Sequence, residues 1–463
     1  MIDRYIYRWP DLAFGADGRW KESAVKDFFS RKMPESPEEL AADSRWPCFF
    51  PSPICLVTAG DGHSAAFERV AGPVIVNRFP YVMAISVCRE RLSERHYERR
   101  SFMKALESSR EAAVQFCAPG PALDRALGVI GSTDDARSFD RIKSAGLASR
   151  RGVSVSAAVL SDAYMVYEGK LARPSTDLDG EKIYGNPWID IGSHRVYFLE
   201  VSAIQLRHDI AEGASRISWR SLPSWHSPDA VTPHTGSGGK SVYTKNFTPQ
   251  YRFPSAGTTA FESDGIAEGM SVKKLPLMMK DQIKIDNDAA RWPCFFPSPV
   301  TMVTSYAADG RPNAMPCGST AVLARNPMTI AVSICYAKIN ERYSPRATLE
   351  DIRRSGAFGC GVPFIDKGIT EAITYSGNVS IADDPDKIVN SGLSAGKAGA
   401  SPVLRELPVH FDCRVTREIR LGTHIMFLGE VAGIMARGDL SPRNPLEWYP
   451  WADVEPAGRE TTL

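Results

Sequence analysis

The sequence has no surplus of charge of either sign. Lys and Arg total 55 against 54 for Asp and Glu, a net charge of +1. That balance leaves no basic footprint for nucleic acid and no acidic tail. No apolar run is long enough to cross a bilayer. The opening MIDRYIYRWPDLAFG lacks the basic-then-apolar order of a secretory signal. A cytoplasmic protein without membrane or nucleic-acid partners is expected. The nine cysteines include no C-x-x-C pair, so neither a zinc site nor a dithiol motif is indicated, and no metal is expected. Most should be small buried hydrophobes in a reducing compartment. No G-x-G-x-x-G follows a strand, which argues against a Rossmann domain. No Ser–His–Asp order, H-E-x-x-H, Walker lysine loop or EF-hand loop is visible either.

What is present is an internal repeat. RWPCFFPSP occurs at Arg45–Pro53 and again at Arg291–Pro299. AISVC (Ala84–Cys88) pairs with AVSIC (Ala331–Cys335), and GSHRVYFLEV from Gly192 pairs with GTHIMFLGEV from Gly422. The offset between copies falls from 247 to 230, so the first copy carries a net 17 extra residues. The polar, turn-rich stretch Arg173–Asp190 is the expected place for them. Two such units fit a duplicated domain that reproduces a homodimer within one chain.

The chain divides into a leader at residues 1–44, a first repeat at 45–225, a linker at 226–270 and a second repeat at 271–463. Lys21–Lys32 reads as a short amphipathic helix. The linker is rich in Ser, Gly, Pro and Thr, with Tyr243, Phe247, Tyr251 and Phe253 expected to pack on a barrel surface. Strands are expected at Val300–Ser305, Thr329–Cys335 and Phe358–Val362, with a helix at Thr348–Ser355 N-capped by Thr348. Val409–Arg420 and His424–Met435 read as an antiparallel pair turning at Leu421-Gly422-Thr423. Short strands with few helices suggest small Greek-key barrels. The expected fold is mainly β with short helices: two split β-barrel domains forming an intramolecular pseudo-dimer. The aromatics of the repeated motif (Trp46, Phe49, Phe50, Trp292, Phe295, Phe296) should pack in a core or across the pseudo-two-fold.

The ordered series PSPVTMVTS, DGRPNAMPCGST, NPMTIAVSI, YSPRATLEDIRRSGAF and LGTHIMFLGEV resembles the flavin reductase-like family of FMN-binding split barrels. The resemblance spans roughly residues 297–436. It implies a six-stranded antiparallel barrel, normally dimeric, that binds FMN or FAD near the interface. Many members pass a hydride from NADH or NADPH to flavin. Others retain the flavin for different chemistry, so the fold alone does not set the reaction.

The resemblance places Asn313 at the start of the strand along the flavin; the alternative is a turn residue. Pro316, Cys317, Gly318, Ser319 and Thr320 would lie at the isoalloxazine or the phosphate, where small hydroxyls and backbone amides supply neutral donors. Otherwise they form an ordinary strand, with Cys317 an inert buried thiol. Arg346 and Thr348 flank a helix start, and helix amides, a guanidinium and a hydroxyl suit phosphate. The alternative is a capping threonine beside a surface arginine. Lys367 would assist, or be solvated. His424 matches a family histidine near the nicotinamide or flavin, and is the candidate catalytic residue; the alternative is a structural hydrogen bond.

In the first repeat Arg99, Ser101 and His194 stand at the places of Arg346, Thr348 and His424, as the remnant of a site. Ala65 replaces the asparagine, and Phe67-Glu68-Arg69-Val70 replaces the small polar run. Glu68, pointing inward, would repel phosphate. The leading expectation is a flavin-dependent oxidoreductase of the NAD(P)H:flavin reductase type, serving a small-molecule substrate or a flavin-dependent monooxygenase partner. The alternatives are an enzyme that keeps FMN bound and transforms an organic substrate, and a non-catalytic flavin-binding protein.

Overall fold

The computed structural model describes chiefly residues 18–34, 49–130, 146–218, 267–287, 300–440 and 453–456, with gaps inside some of these. Two nine-stranded antiparallel sheets dominate it. The first contains β3 (Ile54–Ala59), β4 (Ala66–Ala71), β5 (Val74–Asn77), β6 (Val82–Cys88), β7 (Glu111–Cys117), β8 (Ala163–Leu171), β9 (Trp188–Ile191) and β10 (His194–Arg207). The second contains β12 (Thr301–Tyr306), β13 (Pro312–Cys317), β14 (Thr320–Arg325), β15 (Met328–Cys335), β16 (Ala357–Val362), β17 (Val409–Arg420) and β18 (His424–Arg437). Their strand orders correspond: β4-β3-β7-β8-β10-β6-β5 in one, and β13-β12-β16-β17-β18-β15-β14 in the other.

The strands form where β-branched residues are buried on both faces; all eight residues of β15 are buried. The expected β17–β18 hairpin is present, and Gly422 at its turn has φ 117°, a conformation that suits glycine. A side chain there would also press on the Phe79 carbonyl, 2.8 Å from the added carbon.

The chain crosses over before each sheet. β1 (Lys21–Glu22) and β2 (Phe28–Lys32) join the second sheet, β2 pairing with β18. The helix expected over Lys21–Lys32 is therefore two strands. Pairing with β18 and burial of Phe28 and Arg31 override the short helical pattern. In the reverse sense β11 (Met270–Lys274) pairs with β10 of the first sheet. The repeated motif crosses with them. Phe49 and Phe50 pack in the second core, with Phe50 6.1 Å from Phe411 between ring centroids. Phe296 packs in the first core, 5.3 Å from Tyr167. Trp46, Trp292 and Phe295 lie outside the described residues, as do the linker aromatics.

The two sheets also share a core. Val74, Val76, Ala84 and Phe198 pack with Ala321, Leu323, Ala331 and Met426. Ser86 donates to the Leu323 carbonyl, and Ser333, its counterpart in the repeated AxSxC strand, donates to the Val76 carbonyl. The surplus stretch Arg173–Asp190 holds a small hairpin that reaches the second half: Tyr184 donates to the Leu421 carbonyl at 2.6 Å. No helix among the described residues is long and apolar enough to cross a membrane.

Candidate functional site

Two helices stand at matching places, α1 (Arg100–Ser109) after β6 and α2 (Ala347–Ser355) after β15. Each is preceded by an arginine at its N-cap, Arg99 and Arg346. Thr348 is therefore not the cap. It lies inside the first turn, buried. Both helices end on a left-handed residue, Arg110 and Gly356, with the cap N–H closing on Leu106 and Ile352 carbonyls.

At α2 the side chains converge. Asn313, 1% exposed, donates from Nδ2 to Thr348 Oγ1 at 3.2 Å and to Asp351 Oδ2 at 3.1 Å. Asn313 is thus a buried strand residue, tied to the helix start. The helix Lys387–Asn390 brings in Lys387, whose Nζ lies 3.4 Å from Asn313 Oδ1. Lys387 is 4% exposed. Burial, with the nearby Arg346 charge second, pulls its pKa down to about 7; Asp384 and Asp351 oppose that shift. Arg346 itself is half-buried.

Along the next residues Pro316, Cys317, Gly318 and Thr320 are buried and Ser319 is half-buried. Thr301 donates to Thr320 Oγ1 at 3.0 Å and to the Cys317 carbonyl at 3.2 Å. Cys317 lies in the second core, and burial raises its thiol pKa. An inert thiol is what that environment produces. All seven described cysteines are buried and unbridged. Lys367 opens the helix Lys367–Asn378, but its side chain lies outside the described residues.

His424 is 9% exposed at the head of β18. Burial, then the charges of Arg78 and Arg346, lower its pKa to about 3, so the ring is neutral at ordinary pH. Its Nδ1 is 2.9 Å from Thr423 Oγ1. The first half clamps this turn: Asn77 Oδ1 accepts from the Thr423 and His424 amides at 3.0 and 3.1 Å. Arg78 and Asn77 thus reach the second half's histidine from the first half. The mirror contact is the Ser193 amide donating to the Asn326 carbonyl at 2.8 Å, and burial, then the Arg325 charge, lower the pKa of His194 to about 4.

The first half differs at its arginine. Glu68 and Arg99 form an ion pair at 3.3 Å, each side chain 8% exposed. Ser101 is half-buried in α1. The registers Ala59 with Ala66 and Ser305 with Asn313 put Ala66, rather than Ala65, at the asparagine's place, and Glu68 at the place of Met315. The expected place at Ala65 is one residue off because strand register, not turn length, fixes the equivalence. Lys387, Asp351, Asn77 and Arg78 were not singled out in the sequence. Lys387 sits in a polar DDPDK run that reads as surface, and the Asn77 and Arg78 contacts exist only across the interface.

Residues 293–452 match the family described as Flavin reductase like domain, so the second half carries a flavin reductase-like domain. An uncharacterized protein of Archaeoglobus fulgidus is 27% identical over 123 residues, 26% of this chain and 63% of the relative. The chain thus spans less than two thirds of that relative's length. Among solved structures, the flavoredoxin of Methanosarcina acetivorans is 20% identical, with 32% of this chain and 73% of that chain covered and a TM-score of 0.28. Nitrilotriacetate monooxygenase component B from Bacillus cereus is 21% identical, with 32% and 75% covered and a TM-score of 0.28.

Proposed function

We propose that the second half binds a flavin, FMN in the first instance, and acts as a flavin-dependent oxidoreductase of the NAD(P)H:flavin reductase type. The observation that carries this reading is the convergence of Arg346, Thr348, Asn313 and Lys387 at the start of α2, inside the span that matches the flavin reductase-like domain. Helix amides, a guanidinium and a buried hydroxyl are the groups a phosphate needs. Residues Asn313–Thr320 would border the ring, with Gly318 allowing close approach. The bound flavin would supply hydride acceptance. The protein's part is to orient the two rings and exclude water. His424, neutral and held by Thr423 and Asn77, would position rather than transfer a proton.

Residues 45–225 are, on this reading, a degenerate copy whose seat is closed by Glu68 on Arg99. One flavin per chain follows. The unequal halves favour a second reading, in which FMN is retained and an organic substrate is transformed, because a flavin shuttle needs no such asymmetry. Purified protein separates the two. Rapid NADH or NADPH oxidation with added FMN supports the reductase. One retained flavin per chain with no such oxidation supports the second reading. Protein that binds no flavin ends both.

A further inference from the structure

The turn that carries His424 is held from the other half by a side chain with no equivalent at the matching turn. Asn77 is 1% exposed. Its Nδ2 donates to the Pro80 carbonyl at 2.7 Å, and its Oδ1 accepts from the Thr423 and His424 amides at 3.0 and 3.1 Å, which settles its oxygen and nitrogen ends. The Thr423 hydroxyl lies 3.1 Å from that same Oδ1. An amide oxygen carries no hydrogen, so the hydroxyl proton lies between the two oxygens; turned elsewhere, it would leave lone pair against lone pair. The hydroxyl oxygen is then an acceptor on its other sides. It accepts from the Phe79 amide at 3.4 Å, and His424 Nδ1, 2.9 Å away, donates to it as well. A neutral imidazole has one N–H, and burial keeps this ring neutral. With the proton on Nδ1, Nε2 is the acceptor.

The first half supplies the internal control. His194 pairs with Cys88 as His424 pairs with Cys335, which puts Ser193 at the place of Thr423. Ser193 Oγ accepts from the Asn326 amide at 3.1 Å, as Thr423 does from Phe79. At Asn77's place stands Ala324: both follow a register shift, and their partners Val82 and Thr329 are equivalent. Alanine offers no side-chain acceptor. Among the described residues the acceptor within reach of the Ser193 proton is His194 Nδ1, 2.8 Å away. His194 then carries its own proton on Nε2, the opposite tautomer.

We infer that Asn77, a residue of the first half, is a positioning residue for the second half's site: through Thr423 it fixes His424 with Nε2 as a hydrogen-bond acceptor, so that the site takes there a ligand N–H of the amide or imide kind rather than a carbonyl. The inference rests on the reading above that His424 belongs to the flavin site. A flavin offers such an N–H on its pyrimidine ring, and a nicotinamide offers one on its carboxamide. On this view the first half is kept for the side chain it lends to its neighbour.

The first test is the long-range proton–nitrogen correlation spectrum of the histidine rings in the full chain without ligand, with signals assigned through His424→Gln and His194→Gln. His424 should show a protonated Nδ1 and a bare Nε2, and His194 the reverse. Asn77→Ala should invert His424 and leave His194 as it was. A purely structural loss would not exchange the two nitrogens. An unmutated His424 protonated on Nε2 overturns the inference, and that result needs neither a variant nor a flavin. The second test is fluorescence titration with FMN and, separately, with NADH. Asn77→Ala should weaken whichever of the two gives its N–H to His424, by roughly fivefold to a hundredfold, the cost of facing one donor with another. Thr423→Val removes the relaying hydroxyl alone and should show the same loss, which keeps the test if the alanine variant fails to fold. Unchanged binding of both molecules overturns the donor assignment while leaving the flavin reading intact. A chain that binds neither ends the flavin reading, and the tautomers measured without ligand still decide what Asn77 does.

Discussion

The two halves share a strand order, a helix after the fourth strand and an arginine before that helix, yet the strand beside the arginine differs. Glu68 closes on Arg99. In the second half the strand offers Met315 at that place, and the Arg346 charge, after burial, lowers the pKa of Lys387. A single position on the strand is glutamate in one half and methionine in the other. Reciprocal contacts keep the frames alike. Thr58 and Thr304 each donate to the first carbonyl of a short strand, of Ala158 and Pro402, and Glu168 and Asp412 each hold a Gly-x-Ser segment through the serine amide and hydroxyl. Gly152 and Gly399 are needed there because an added carbon would meet those carboxylates, at 3.0 and 2.5 Å. The lesson is that a frame can persist while the charge pattern at its helix start is rewritten.

The largest expected effect tests whether the arms cross. Phe50→Ala should cost about 3–5 kcal/mol, the range for a buried phenylalanine. The loss should fall on the sheet that Phe50 fills, not on the one it precedes in sequence. Hydrogen exchange should therefore quicken in β17 with Phe50→Ala and in β8 with Phe296→Ala. The opposite pairing would remove the crossed arrangement.

A second difference lies two residues before the bulge in the equivalent strands β8 and β17, where Val166 in the one stands at the place of His410 in the other. His410 is 1% exposed; its Nε2 donates to the Leu404 carbonyl at 2.7 Å, and its Nδ1 has no hydrogen-bond partner among the described residues. Burial lowers its pKa from 6.5 to about 4, against the small opposing effect of that bond. The unfolded chain therefore takes up a proton that the folded chain refuses. Stability from this group is full above pH 6.5 and is lost as pH falls toward about 4, by up to about 3 kcal/mol. His410→Val should flatten the melting temperature against pH over that window. An unchanged slope would show that His194 and His424, which share the direction, carry the whole response.

The flavin seat gives a comparison of intermediate size. Arg346→Ala should weaken FMN by about 1.5–3 kcal/mol, and Arg99→Ala should leave it unchanged. Equal losses, read by the same titration, would contradict one site per chain.

Much of this arrangement was legible in the sequence. The β17–β18 pair, β12, β15, β16 and α2 lie where periodicity and turn residues put them, since each is strongly patterned and locally punctuated. The leader was misread because five residues, FFSRK, carry too little pattern to separate an edge strand from a helical turn. The crossing of Phe50 and Phe296 was open between two placements, because burial has a sequence signature and the choice of core does not. Asn313, Arg346 and Thr348 were singled out through their order along the chain, and the fold joins Asn313 to Thr348. Lys387 was not, since only tertiary packing turns a polar DDPDK segment into a buried cation.

The smallest effect concerns the surplus hairpin of the first half. Asp177, its side chain fully buried, accepts from Arg420 and from the Tyr336 hydroxyl, each at 2.7 Å, and from the amides of Asp179 and Glu181 at 2.9 Å. Burial alone would raise its pKa, but these donors together hold the carboxyl below the ordinary range. Its contribution is present at neutral pH and fades as pH falls below about 4. Asp177→Asn keeps the shape and drops the charge. Because Arg420 is a third exposed and screened by solvent, the cost should be about 1 kcal/mol. The loss should appear as faster exchange at the β17–β18 turn, beside Gly422 and His424, with β8 untouched. A change confined to the first half would mean that the hairpin serves its own sheet, and that the first half braces the second through Asn77 and Arg78 without it.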